Sequence, residues 1–232
     1  MPTFEEIYAH HAHRYDELVS HEDYQHNLLP ALNAIRPLRG LRVVELGAGT
    51  GRLTRLIAPL AGAVCALDLS AAMLAVAQTT LTAMGRANGW AVCADHRALP
   101  VQAGWADVAL AGWTFGHMPT WFAADWRAQL TVALGEMRRV LRPGGTLIII
   151  ETLGTGTTIA APPTQALGAY YRVLQDQHGF SPRVIRTDYR FESVGEAENL
   201  IRFFFGDALG DRVAAEGWTI VPESTGIWSA TR

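Results

Sequence analysis

The sequence predicts an α/β fold, a mostly parallel sheet with helices on both faces, and three observations carry that prediction. The run Val43-Val44-Glu45-Leu46-Gly47-Ala48-Gly49-Thr50-Gly51 passes from β-branched residues through an acid into alternate glycines. Leu53, Leu56, Ile57 and Leu60 follow at helical spacing, so the segment reads as buried strand, tight turn and helix. Two more apolar runs, Ala63–Asp68 and Trp90–Asp95, also end in an acid. From residue 37 to 151 strand and helix patterns alternate, which is the mark of parallel strands joined by crossover helices.

Taken in order, Phe4, Ile7, Tyr8 and His11 share a helical face, and Tyr24, Leu28, Leu29 and Leu32 form a second stripe. Ser70 is a suitable cap for a helix that carries Met73, Leu74 and Ala77 and ends near Gly85. Ala106–Ala111 is a fourth strand. A helix from about Thr120 to Leu141 turns Leu130, Ala133, Leu134 and Met137 inward. Pro143-Gly144 then makes a turn into the apolar strand that ends at Glu151. Leu167, Tyr170, Tyr171 and Leu174 predict a helix from Gln165 to His178, stopped by Gly179. Arg183–Phe191 alternates as a strand, with Ile185, Tyr189 and Phe191 on one face. Ser193 and Glu196 form a capping-box pattern before a helix through Phe205, and another short helix ends at Gly217. Trp218–Thr231 reads as the last strand, with Pro222 at a bulge or edge.

Composition sets the class. The 232 residues are 49% hydrophobic and 18% charged, which is globular rather than disordered. A net charge of −3 offers no basic footprint for nucleic acid. Cys65 and Cys93 lie near strand ends and form no CxxC, which leads us to expect a reducing, cytoplasmic compartment. Glu5 and Glu6 stand where a secretory leader would be apolar, and no run of 18 apolar residues exists to span a membrane. His10 and His13 could share a helix face, but no third ligand is in view, so no metal site is expected.

Alternate glycines strip the Cβ atoms from one side of the turn, and a flat or extended ligand can lie against bare backbone there. The dinucleotide fingerprint G-x-G-x-x-G would need glycine at position 52, which is Arg52. A nicotinamide-dependent reductase is therefore disfavoured.

The pattern of Glu45, Gly47, Gly49 and Gly51, E-x-G-x-G-x-G, instead resembles motif I of the class I S-adenosylmethionine-dependent methyltransferases. Three features in register support the resemblance: Asp68, 17 residues after Gly51; Asp95 at the next strand end; and Leu141-Arg142-Pro143-Gly144-Gly145 before a buried strand. The resemblance implies a Rossmann-like seven-stranded mixed sheet with its last strand antiparallel. It also implies an N-terminal helical cover over residues 1–36, a cofactor-binding core over 37–152, and a C-terminal part of the same domain over 153–232 that carries substrate cover and last strands.

It further implies a site. Glu45, Gly47, Ala48, Gly49 and Gly51 would cradle the aminocarboxypropyl end of S-adenosylmethionine. Asp68 would accept both ribose hydroxyls, a bidentate task suited to a carboxylate, with Leu69 and Met73 beside it. Asp95 would receive the adenine amino group, and the His96 backbone N–H would reach a ring nitrogen. Ala111 and Trp113, around the end of strand four, would border the cofactor. Tyr15, within Ala12-His13-Arg14-Tyr15-Asp16, either closes over the methionine end or packs into the core. His117 is the candidate general base, with bonding to the acceptor or bracing of its loop as alternatives. Trp121, Trp126, Tyr170, Tyr171, Tyr189 and Trp228 are candidates to line an acceptor pocket.

The expected reaction is transfer of a methyl group to an O, N or C atom of a small molecule by in-line displacement. A module that binds the cofactor without transfer is the alternative. A nucleic-acid amino-methyltransferase would usually show [DN]-P-P-[YF] where this chain has Ala111-Gly112-Trp113-Thr114. The expected partner is thus a small-molecule acceptor, with no nucleic acid or membrane, for a monomer or homodimer.

Overall fold

The computed structural model describes residues 2–85 and 88–232. Three helices lead the chain: α1 (Phe4–His10), α2 (Ala12–Ser20) and α3 (Leu28–Ile35). Thr3 and Glu6 close a capping box on α1, with Glu6 N donating to Thr3 Oγ1 at 3.2 Å and Thr3 N to Glu6 Oε2 at 2.8 Å. The alternating part follows as β1 (Arg42–Leu46), α4 (Arg52–Ile57), β2 (Ala63–Asp68), α5 (Ala71–Ala83), β3 (Gly89–Cys93) and β4 (Ala106–Gly112). Ser70 caps α5 by accepting from Met73 N.

Beyond β4 lie α6 (Met118–Trp121), α7 (Trp126–Val140) and β5 (Leu141–Thr155), then α8 (Gln165–Asp176) and β6 (Ser181–Arg186). The chain ends with β7 (Tyr189–Arg190), α9 (Val194–Phe205), α10 (Asp207–Glu216), β8 (Ile220–Val221) and β9 (Glu223–Thr231).

The main sheet has seven strands in the order β3-β2-β1-β4-β5-β9-β6. The first five are parallel, and β9 runs antiparallel between β5 and β6. Alternation along the central strands separates two cores. Val44, Leu46, Ala109 and Ile149 pack beneath α7 and α8, whereas Val43, Val108, Ile148 and Ile150 pack with α3 and α4. Both faces are apolar, so these strands read as nearly continuous hydrophobic runs. Strand order reverses between β1 and β4, and in open α/β sheets a ligand crevice opens at that point.

Several sequence expectations need correction. The helix expected from Thr120 to Leu141 is two helices, because Phe122 leaves helical geometry and α7 starts afresh after Asp125. Arg183–Phe191 is not one strand: the ladder breaks after Arg186, and Tyr189–Arg190 pair with β8 in a separate two-stranded sheet. Pro222 stands where the chain leaves that small sheet and enters β9, consistent with its missing N–H donor. The Ser193 box is incomplete. Ser193 Oγ accepts from Glu196 N, but the Glu196 carboxylate takes the N–H of Glu192. His10 and His13 fall on different helices.

A satellite core joins α2 to the C-terminal segment: Leu18 packs with Tyr189, Phe191, Leu200, Ile201, Val213 and Val221. It holds the N-terminal helices over the carboxyl ends of β1, β2 and β4. Among the described residues, no helix is long and apolar enough to cross a membrane.

Candidate active site

A cavity of about 450 Å³ lies over those strand ends. Its floor is the β1–α4 loop from Glu45 to Thr50, with Arg52 and Leu53; one wall is Asp68, Leu69, Ser70, Met73, Ala94 and His96. Gly112, Trp113 and Thr114 form the other wall, and Tyr8, Ala9, Tyr15, His117 and Trp121 roof it.

The three glycines all have positive φ, +65° at Gly47, +55° at Gly49 and +84° at Gly51, but they do different things. A Cβ on Gly47 would stand 2.0 Å from Thr114 Oγ1, so this glycine lets the β4 wall close on the loop. A Cβ on Gly49 would meet only Met73 Cε, at 3.6 Å, so this glycine keeps the cavity floor bare. Gly51 does not line the cavity; it admits Ala77 of α5, whose Cβ would lie 3.1 Å away.

Asp68 borders the cavity as expected from its place at the tip of β2. It also fastens the loop: Gly49 N donates to Oδ2 and Ser70 N to Oδ1, each at 2.8 Å. Burial raises its pKa, and the backbone bonds oppose that rise. Each oxygen retains a lone pair for a further donor.

Asp95 is placed otherwise than the resemblance implied. It is not among the cavity-lining residues, and both its oxygens are engaged by Arg97, the closest contact being Nη2 to Oδ2 at 2.5 Å. Those hydrogen bonds pull its pKa down to about 2. An acid two residues before an arginine can form such a local pair, and here that pair has formed. Ala94 and His96 face the cavity instead. Ala111 is buried within β4 and does not reach the cavity; Gly112 takes that position.

The roof centres on His117, in a short turn after β4. Its Nε2 is 3.0 Å from the Tyr8 hydroxyl, and its ring lies parallel to Trp121 at 4.5 Å. Burial lowers its pKa to about 4, so the imidazole is neutral at pH 7. Beneath this turn, Glu151 Oε1 accepts from Gly116 N at 2.8 Å and fixes the loop on β5. Tyr15 meets Tyr8 edge-on at 5.7 Å, and burial raises its pKa to about 12.

Of the six aromatics considered for an acceptor pocket, only Trp121 lines the cavity. Trp126, Tyr170, Tyr171 and Trp228 belong to the core under the sheet, and Tyr189 is buried with its hydroxyl on Glu22 at 2.7 Å. Tyr8, Ser70, Thr50, Arg52 and Thr114 were not singled out as site residues from the sequence. Tyr8 carried a signal, because it shares the helical face of Phe4 and Ile7.

Glu45 is buried at the floor, accepting from Thr54 Oγ1 at 2.5 Å, and burial pushes its pKa up to about 8. Three lining residues carry a buried polar atom without a partner among the described residues: Thr50 Oγ1, Arg52 Nη2 and His96 Nε2. Such atoms cost free energy unless water or a ligand satisfies them. A bare glycine floor, a strand-tip carboxylate and unsatisfied polar atoms together fit S-adenosylmethionine.

Comparison with known proteins agrees with this geometry. Residues 44–149 match the family described as methyltransferase domain. The chain is 33% identical over 141 residues to a malonyl-[acyl-carrier protein] O-methyltransferase of Marinomonas sp., covering 60% of this chain and 48% of that one. It is 34% identical over 121 residues to a ubiquinone/menaquinone biosynthesis C-methyltransferase of Bordetella parapertussis, covering 51% and 42%. The matches thus span less than half the length of these curated relatives. A solved SAM-dependent methyltransferase from Aquifex aeolicus superposes with a TM-score of 0.56 at 15% identity, covering 88% of each chain. The chain therefore has the fold of the class I S-adenosylmethionine-dependent methyltransferases, with a methyltransferase domain over residues 44–149.

Proposed function

We propose that this protein binds S-adenosylmethionine and transfers its methyl group to an O, N or C atom of a small molecule. The observation that carries the reading is the cavity at the reversal of strand order, floored by left-handed glycines and bordered by Asp68. When bound, the cofactor supplies a methyl group already activated on a sulfonium.

The chain's own residues then have three tasks. Asp68 and the Glu45–Thr50 loop orient the donor. Holding two reactants in a near-attack geometry contributes ~7–11 kcal/mol to such a displacement. Tyr8, Tyr15 and Trp121 roof the cavity and exclude water from the reacting atoms. His117, neutral and bonded to Tyr8, is the proton acceptor if the substrate loses a proton from O or N.

The acceptor in this reading is a small molecule, and the protein works without nucleic acid or membrane, as a monomer or homodimer. The similar proteins methylate an oxygen in one case and a carbon in the other, so they do not select the atom.

Calorimetry with S-adenosylmethionine, S-adenosylhomocysteine and NADH tests the binding half. Binding of the adenosyl compounds without NADH is expected, and the reverse pattern overturns the reading. A screen of metabolite extracts with labelled methyl donor tests the transfer half. Binding with no labelled product would reduce the chain to a cofactor-binding module.

A further inference from the structure

Arg52 occupies the position where a dinucleotide fingerprint would have glycine, and the fold gives that departure a use. Its guanidinium is clamped in place. Nη1 donates to Glu22 Oε2 at 2.6 Å, and the Trp113 ring lies 3.9 Å from Cζ. Glu22 is itself held by the Tyr189 hydroxyl. One donor nitrogen, Nη2, is buried and has no partner among the described residues. Two residues earlier, the Thr50 hydroxyl is also buried and unpartnered, and both residues line the cavity.

Charge narrows what these donors await. Arg52 is the only lysine or arginine among the described residues lining the cavity. The acids there are Glu5, Glu45 and Asp68, and burial raises the pKa of the last two. An anionic group entering this space finds a cation in one place only. A guanidinium presents donors in a fixed fork that suits a carboxylate, and a neighbouring hydroxyl adds a third donor. The cavity's polar atoms are also spread along it. Asp68 stands at the end of β2, while Arg52 opens α4 after the glycine loop and Trp113 follows β4.

We infer that Arg52 Nη2 and Thr50 Oγ1 form a carboxylate subsite that reads the α-carboxylate of the cofactor. The assignment rests on the proposed cofactor and adds the group that distinguishes it from a bare adenosine thioether. Glu22 and Trp113 are positioning residues here: they fix the guanidinium through Nη1 and its face, while Nη2 and Glu22 Oε1 stay buried without a partner among the described residues.

The test compares two ligands in four proteins by calorimetry. S-adenosylhomocysteine carries the carboxylate; 5′-methylthioadenosine has the same adenosine and sulfur without it. Wild type should bind the first more tightly. Arg52→Met should weaken S-adenosylhomocysteine about 10- to 100-fold, the range for a lost charged hydrogen bond, and leave 5′-methylthioadenosine within about twofold. Thr50→Val should give a smaller loss, about three- to tenfold, with the same selectivity. Arg52→Met leaves Glu22 buried without its cation, so the double variant Glu22→Gln/Arg52→Met guards against a folding artefact and should show the same selective loss.

Equal weakening of both ligands in the Arg52 variants would make the residue structural and overturn the assignment. So would unchanged affinity for S-adenosylhomocysteine. Wild type that binds both ligands equally would sink the subsite while leaving the cofactor reading intact. Wild type that binds neither would remove that reading, and the subsite with it.

Discussion

Gly47 and Gly49 look interchangeable in the motif, and the structure predicts that they are not. Both have left-handed φ, so alanine at either costs about 1–2 kcal/mol in backbone strain. At Gly49 little else is lost, since the new methyl would meet only Met73 Cε at 3.6 Å. At Gly47 the methyl would stand 2.0, 2.6 and 2.8 Å from Thr114 Oγ1, Cγ2 and Cβ. Thr114 must then move, which adds about 1–3 kcal/mol of overpacking. Its hydroxyl would also leave the Gly112 carbonyl, 2.9 Å away, for about another 1 kcal/mol. Gly47→Ala should therefore destabilise the ligand-free protein by about 2 kcal/mol or more beyond Gly49→Ala. Thr114→Ala removes the two nearest clashing atoms, so the double variant should recover about 1–2 kcal/mol relative to additivity. Urea denaturation without ligand measures all four variants against wild type, and S-adenosylhomocysteine titration adds the second axis. Gly49→Ala should lose affinity out of proportion to stability. Equal destabilisation by the two glycine variants, with no coupling to Thr114, would refute the division of roles.

Asp68→Ala should weaken S-adenosylhomocysteine by about 1.5–3 kcal/mol per lost charge-assisted bond. Because its carboxylate also holds Gly49 N and Ser70 N, the variant should lower the urea midpoint as well, and an unshifted midpoint would show that the loop does not depend on it. Burial raises Glu45, Glu151 and Glu223 from 4.5 to about 8. The folded chain then binds more protons than the unfolded chain between those values, so this contribution is complete below about pH 4.5 and lost as pH rises through 8. His117, lowered to about 4, is neutral in both states above its ordinary value of 6.5, so from there to pH 8 the acids decide the slope. Ligand-free stability should fall over that window, and Glu223→Gln should flatten the fall; a rise would contradict the burial assigned to these acids. Hydrogen exchange in α1 and α2 should slow with S-adenosylhomocysteine more than in α7, and equal slowing would remove Tyr15 and Tyr8 from the cofactor's surroundings.

The central strands were legible because burial on both faces writes β1, β2, β4 and β5 as apolar runs, and their ends carry the glycine loop and Asp68. Where sheet partners change, no local signal announces it. Ile185, Tyr189 and Phe191 alternate as one strand would, yet Thr187 donates its N–H to the Glu223 carbonyl and the chain then joins a different sheet. Trp121 and Trp126 sit five residues apart in one apparent helix. The break at Phe122–Asp125 turns the first toward the cavity and leaves the second in the core. Asp95 is drawn into a pair with Arg97 two residues away and is not among the cavity-lining residues, a competition that strand-end position alone does not reveal. In the sequence Arg52 served only to exclude a fingerprint; its clamp comes from Glu22 and Trp113, which are distant along the chain.

The roof and the floor of the cavity are fastened to each other by an apolar patch, Tyr8, Ala12 and Tyr15 on Met73 and Val76, and by polar ties. Ser70 Oγ donates to the Tyr8 carbonyl at 2.8 Å, Arg55 Nη1 donates to Asp16 at 2.8 Å, and Arg52 donates to Glu22. Every one of these ties begins on α4 or at the start of α5, the two elements that the glycine loop and Asp68 lead into. A further apolar anchor, Leu18 in the satellite core, lies against the C-terminal helices. Ligand contacts at Arg52 or Asp68 therefore act on residues one bond away from the roof, and changes at Tyr8, Glu22 or Asp16 act back on the floor. Substitutions of residues that bond across this boundary, such as Glu22 and Arg52, should fail additivity by about 0.5–3 kcal/mol in cofactor binding. A double-variant cycle of Glu22→Gln with Arg52→Met, read by calorimetry, measures that coupling. Strict additivity would mean that the N-terminal helices cover the site without being part of it.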